Sequence, residues 1–125
     1  MPQYTDSSTE LTWNYSLDAN NNATIGDDTG VSGNATTLGT SLSGAITIPS
    51  TIPYGDGDAS YNVTTIRSHA FYQCSSLISV TLPTNPLFTT IGINAFYQCS
   101  NLNAITIPDS VTSIGSSVFL PCTRL

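Results

Sequence analysis

A chain of 125 residues, 39% of them apolar, is enough for one small domain and too short for two. Only 8% is charged: Arg67 and Arg124 are the sole fixed cations against eight carboxylates, and the net charge of −6 excludes nucleic-acid phosphates and anionic lipid as partners. Polarity comes instead from 19 Thr, 17 Ser and 10 Asn, a hydroxyl- and amide-rich surface more usual outside cells than in cytosol. No stretch approaches the roughly 20 apolar residues of a membrane span. Met1 to Asp6 also lacks the basic start and apolar run of a secretory signal, so export would need a leader beyond this stretch.

In chain order, residues 1–10 read as a loose polar leader. Residues 11–43 read as a β-hairpin cap, with strands near 11–17 and 23–26 joined by the turn Asp18-Ala19-Asn20-Asn21-Asn22. Residues 44–49 are the first strand of a regular array. Residues 50–63 interrupt it, where Pro53-Tyr54-Gly55-Asp56-Gly57-Asp58 has the chemistry of a turn and predicts a protruding hairpin. From residue 64 the chain repeats itself. Residues 66–83 read IRSHAFYQCSSLISVTLP and residues 91–108 read IGINAFYQCSNLNAITIP, so Ile66, Phe71, Cys74, Leu77 and Pro83 recur 25 residues later. A third copy begins at Ile114, with Phe119, Cys122 and Leu125 a further 23 residues on, and Ala45-Ile46-Thr47-Ile48-Pro49 is a partial copy upstream.

Each full copy contains one short strand. Val80 and Leu82, like Ile105 and Ile107, alternate with polar residues and predict a strand buried on one face, which Pro83 or Pro108 then ends. A single coil cannot bury its own apolar side, but coils stacked about 4.8 Å apart in a parallel sheet can. Leu77-x-x-Val80-x-Leu82 and Leu102-x-x-Ile105-x-Ile107 have the spacing of a leucine-rich repeat. Over residues 44–125 the sequence resembles the BspA-like leucine-rich repeats, whose pattern is I-G-x-x-A-F-x-x-C-x-x-L-x-x-V-x-I-P, and residues 11–25 resemble the hairpin cap that precedes them. The resemblance implies a mainly-β leucine-rich-repeat solenoid with a parallel sheet and an N-terminal cap. It also implies secreted or cell-surface proteins of bacteria and some protists that adhere to host proteins, other cells or matrix, and no catalytic residues.

The side chains that carry chemistry have structural readings. Cys74, Cys99 and Cys122 share one repeat position, their spacing fits no zinc pattern, and they read as reduced inward plugs. Asp18-x-Asn20-x-Asn22 opens like a calcium loop, but Ala23 and Thr29 stand where Gly and Glu are required. Gly55-Asp56-Gly57-Asp58 likewise reads as a solvated turn. His69, the sole histidine, is replaced by Asn94 and Ser117 in the next copies, as befits a solvent-facing turn and not a catalytic centre. No metal or cofactor is expected. Asn14, Asn22, Asn34 and Asn62 lie in glycosylation sequons, but an Asn-, Ser- and Thr-rich chain has about as many by chance. Phe71, Phe96 and Phe119 should be core; Tyr72 and Tyr97 should be partly exposed, with Tyr54, Tyr61 and Phe88 on two bulging loops.

The expected function is binding. If strand register holds, Thr47, Thr81 and Thr106 form an outward ladder flanked by Ala45, Ser79 and Ala104, suited to broad contact with a protein or glycan on another cell or in matrix. The alternative partner is a second copy of the chain. The third copy stops at Leu125 before its strand, so Phe119, Leu120 and Leu125 are expected to be exposed and to support end-to-end assembly. One Thr rank over three coils is meagre for an ice-binding surface.

Overall fold

The computed structural model describes residues 2–26, 33–54 and 59–125. The chain enters through three antiparallel strands, β1 (Gln3–Thr5), β2 (Thr12–Leu17) and β3 (Ala23–Ile25). Tyr4 stands opposite Trp13, and Leu17 opposite Ala23. The β2–β3 turn is closed by Asp18, whose carboxylate accepts the N–H groups of Asn20 and Asn22 at 2.8 and 3.0 Å. Residues 2–10 are not the loose leader that their polar composition suggests. Asp6 accepts Ser8 N–H at 2.9 Å and donates its own N–H to Leu11 O, turning β1 back onto β2 so that Tyr4 packs against the core. A three-residue strand in a polar segment has too little periodicity to announce itself.

Beyond the cap come β4 (Ser43–Thr47), β5 (Thr51–Pro53), β6 (Ser60–Ile66), β7 (Ser76–Thr81), β8 (Thr90–Ile91), β9 (Ala104–Thr106) and β10 (Ser113–Ile114). The anticipated parallel sheet is β4-β7-β9. The insertion is a hairpin in which β5 pairs antiparallel with β6, Ile52 lying opposite Tyr61. Its tip, residues 55–58 with the expected Gly55-Asp56-Gly57-Asp58 turn, lies outside the described residues. Strand β6 runs on past the insertion into a second parallel sheet, β3-β6-β8-β10, aligning Ile25, Ile66, Ile91 and Ile114.

The second sheet is an addition to the sequence reading. Its signal is a shorter repeat, apolar-Thr-Thr/Ser-Ile, at Val63–Ile66, Phe88–Ile91 and Val111–Ile114. This repeat also corrects Phe88, which is not an exposed loop aromatic but fully buried in the slot that Val63 fills one coil earlier. Asn85 turns it inward. The Asn85 amide donates to Ser50 O and Val63 O at 2.8 and 2.9 Å, and its side-chain oxygen accepts Leu87 N–H at 2.6 Å. The extra length of that loop is thereby folded over the coil edge.

Between the two sheets lies one continuous interior. Phe71 and Phe96 stack with ring centroids 4.9 Å apart and planes 5° from parallel, Phe119 follows at 5.9 Å, and Trp13 of the cap meets Phe71 edge-on at 6.2 Å. Leu77, Val80, Leu102 and the three cysteines fill the space around this column. The coils approach so closely at Gly92 that a Cβ there would lie 2.5 Å from Ser68 N; at Gly115 it would lie 2.4 Å from Ile93 N.

Candidate binding face

The β4-β7-β9 register places Thr47, Thr81 and Thr106 in one cross-strand rank and Ala45, Ser79 and Ala104 in another. The first three are exposed, as are both alanines, whereas Ser79 is half-buried. Ile46 and Val80, between the ranks, turn inward and fix the direction of the hydroxyls; Ile105 is half-buried. A hollow of about 360 Å³ is lined by Ser79, Thr81, Ala104 and Thr106, together with Thr84 and Pro108 at its margin. None of these side chains is charged, so recognition here must rest on hydroxyl contacts and shape.

One residue of this face escaped the sequence reading. The pairing slips between Gly44 and Ala45: Gly44 faces Leu77 while Ala45 faces Ser79. Ile78 is left unpaired between them and is 43% exposed. A β-bulge directs a side chain out of its alternating pattern, and here it adds an apolar contact next to the Ala45–Ser79–Ala104 rank. Only the pairing across strands reveals it.

The other candidates have structural roles. Cys99 Sγ donates to Phe71 O at 3.1 Å and Cys122 Sγ to Phe96 O at 3.2 Å, each tying its coil to the one before. Burial pushes the Cys74 and Cys99 thiols up to about 12 and raises that of Cys122. His69 is half-buried in a left-handed conformation (φ 65°) that Asn94 and Ser117 share. Its Nε2 lies 3.1 Å from the Asn94 amide. The expectation of a purely solvent-facing turn is thus corrected to a stacked one. Hydrogen bonds from the Asn22 and Asn20 backbone N–H groups hold the Asp18 carboxyl below its ordinary range. Among the described residues, no three His, Cys, Asp or Glu side chains are placed to hold a metal ion.

Of the expected self-association residues, Leu120 and Leu125 are 60% and 53% exposed. Phe119 is corrected: it is half-buried, because its ring stacks on Phe96. Tyr54 is exposed and stacks on Tyr61 at 4.1 Å, and Tyr72 and Tyr97 stack face to face at 5.1 Å.

Coils joined by two parallel sheets, with a ladder of identical side chains inside, define a leucine-rich-repeat solenoid. The sequence family described as "BspA type Leucine rich repeat region (6 copies)" matches residues 57–125, more than half of the chain, and the protein belongs to that family. Among solved structures it is similar to a T. pallidum leucine-rich-repeat protein, at 24% identity and a TM-score of 0.57. That match covers 98% of this chain and 58% of the other, so the chain spans little more than half the length of that protein. A leucine-rich cell-surface protein from Faecalibacterium prausnitzii A2-165 also matches at 24% identity, over 98% of this chain and 41% of that one, with a TM-score of 0.37. No curated protein sequence matches the chain.

Proposed function

We propose that this chain is an extracellular or cell-surface adhesive module, not an enzyme, that grips a protein or glycan through the β4-β7-β9 face. The observation that carries the reading is the exposed, uncharged Thr47–Thr81–Thr106 rank bordering the hollow, with Ile78 exposed on the same sheet. Family membership supports a repeat scaffold that presents a surface, and the Lys-free, hydroxyl-rich composition supports an extracellular site. The sole imidazole is tied to an amide and the thiols are buried, which favours binding over catalysis.

The test measures retention of the protein on immobilised extracellular-matrix proteins and on fixed cells. The wild type should bind at least one of them, and Thr81→Arg/Thr106→Arg should abolish that binding while leaving the circular dichroism unchanged. Unaltered binding by the double variant would remove the face. Self-association through the last coil is the alternative, supported by the exposed Leu120 and Leu125. Light scattering that finds only monomer at high concentration would exclude it.

A further inference from the structure

The flank that joins the two sheets is stacked as regularly as the strands. His69, Phe71 and Gln73 donate backbone N–H groups to Ile93 O, Ala95 O and Tyr97 O at 3.0, 2.8 and 2.7 Å. Asn94, Phe96 and Gln98 repeat the pattern onto Ser116, Val118 and Leu120. Gln73 and Gln98 both have φ of 60°, which points their side chains the same way, one coil above the other. Gln73 Nε2 donates to Gln98 Oε1 at 2.8 Å, linking the two amides at the surface. Gln73 Oε1 and Gln98 Nε2 are left without a protein partner among the described residues, one an acceptor and the other a donor. Beside them is a hollow of about 370 Å³ lined by Gln73, Gln98, Ser75, Ser100 and Pro121.

We propose that this hollow is a second binding site, distinct from the Thr rank, and that its ligand is a neutral glycan. Each sugar hydroxyl is both donor and acceptor. A hydrogen-bonded pair of amides offers one group of each kind, with two serines beside them. Pro121 supplies an apolar wall for a C–H face. The hollow is an open depression, which suits a short stretch of oligosaccharide lying along the surface better than a small molecule that needs an enclosed pocket. No lining residue is charged, and a chain with a net charge of −6 and no Lys repels sulfated or sialylated sugars. An extended peptide fits less well, because alternate backbone N–H groups of the flank, from His69 to Gln73 and from Asn94 to Gln98, already bond the neighbouring coil.

The full chain is applied to an array carrying neutral hexose and N-acetylhexosamine oligomers, with sialylated and sulfated glycans alongside. Retention is expected on neutral glycans. Gln73→Ala/Gln98→Ala should weaken it about tenfold, the effect of losing its fixed polar contacts. Ser75→Trp fills the hollow while leaving Gln73 and Gln98 in the sequence and should weaken retention as much, which covers the case of a double variant that fails to fold. Thr81→Arg/Thr106→Arg should retain glycan binding, so this site and the sheet face stand or fall separately. Absence of retention on every neutral glycan, retention on anionic glycans alone, or retention indifferent to both the Gln and Ser75 changes would overturn the proposal.

Discussion

Cys99 shows how much one small side chain does in a stacked coil. It fills space beside the Phe column, and its Sγ–H satisfies the carbonyl of Phe71 in the preceding coil. Ionising it would strand a charge in an apolar interior, which is why burial raises the thiol so far. The sign of the pH effect follows. The unfolded chain loses these thiol protons from about pH 9 upward, whereas the folded chain keeps them to about 12. Above about pH 9 the unfolded state therefore binds fewer protons, and stability falls as pH rises. Urea midpoints should show this decline between about pH 9 and 11, and Cys74→Ala/Cys99→Ala should flatten it. A midpoint that falls equally in the double variant would assign the effect to other groups, such as the tyrosines Tyr4 and Tyr15, which burial also raises. The repeat phase made these cysteines legible as inward plugs; their hydrogen bonds depend on coil-to-coil geometry that no spacing encodes.

At the scale of the element, coil-to-coil distance is set where the second sheet turns into the flank. Gly92 follows Ile91 there, and a methyl group at that position would collide with the backbone of Ser68. Gly92→Ala should therefore destabilise by about 1–3 kcal/mol, because backbone cannot yield as a flexible side chain can. Chemical denaturation measures it, and an unchanged midpoint would mean the coils can part without cost. How legible an element was depended on its length. The strands β7 and β9 belong to an apolar–polar alternation long enough to show in one copy, and their Thr rank followed once copies were aligned. The two-residue strands β8 and β10 have no period of their own. Phe88 was misplaced because Asn-Pro-Leu reads locally as an open loop, while the bonds that fold it inward join Asn85 to residues 22 and 35 positions away. The hollow beside Gln73 and Gln98 was equally invisible, since it needs left-handed turns in successive copies to fall into register. Ile78 belongs to the same class, exposed by a slip in pairing and not by composition.

Across the whole molecule, the aromatic column joins cap to repeats. Trp13 is fully buried and meets Phe71, so the one tryptophan reports on the junction between the antiparallel strands and the first full coil. Backbone bonds cross the same junction, from Ala35 N–H to Ala70 O and from Arg67 N–H to Ile25 O, both at 2.9 Å. Cap and coils are thus expected to unfold together. Tryptophan fluorescence and far-ultraviolet circular dichroism should give coincident transitions; separated midpoints would show that the cap melts independently. Each coil rests on its neighbours alone, through rungs of Phe, Cys, Ile and backbone amide that look the same from one level to the next. Such a design has no privileged length: a duplicated unit is expected to find its sockets ready-made above and below, so reach can change by whole coils without a new interior.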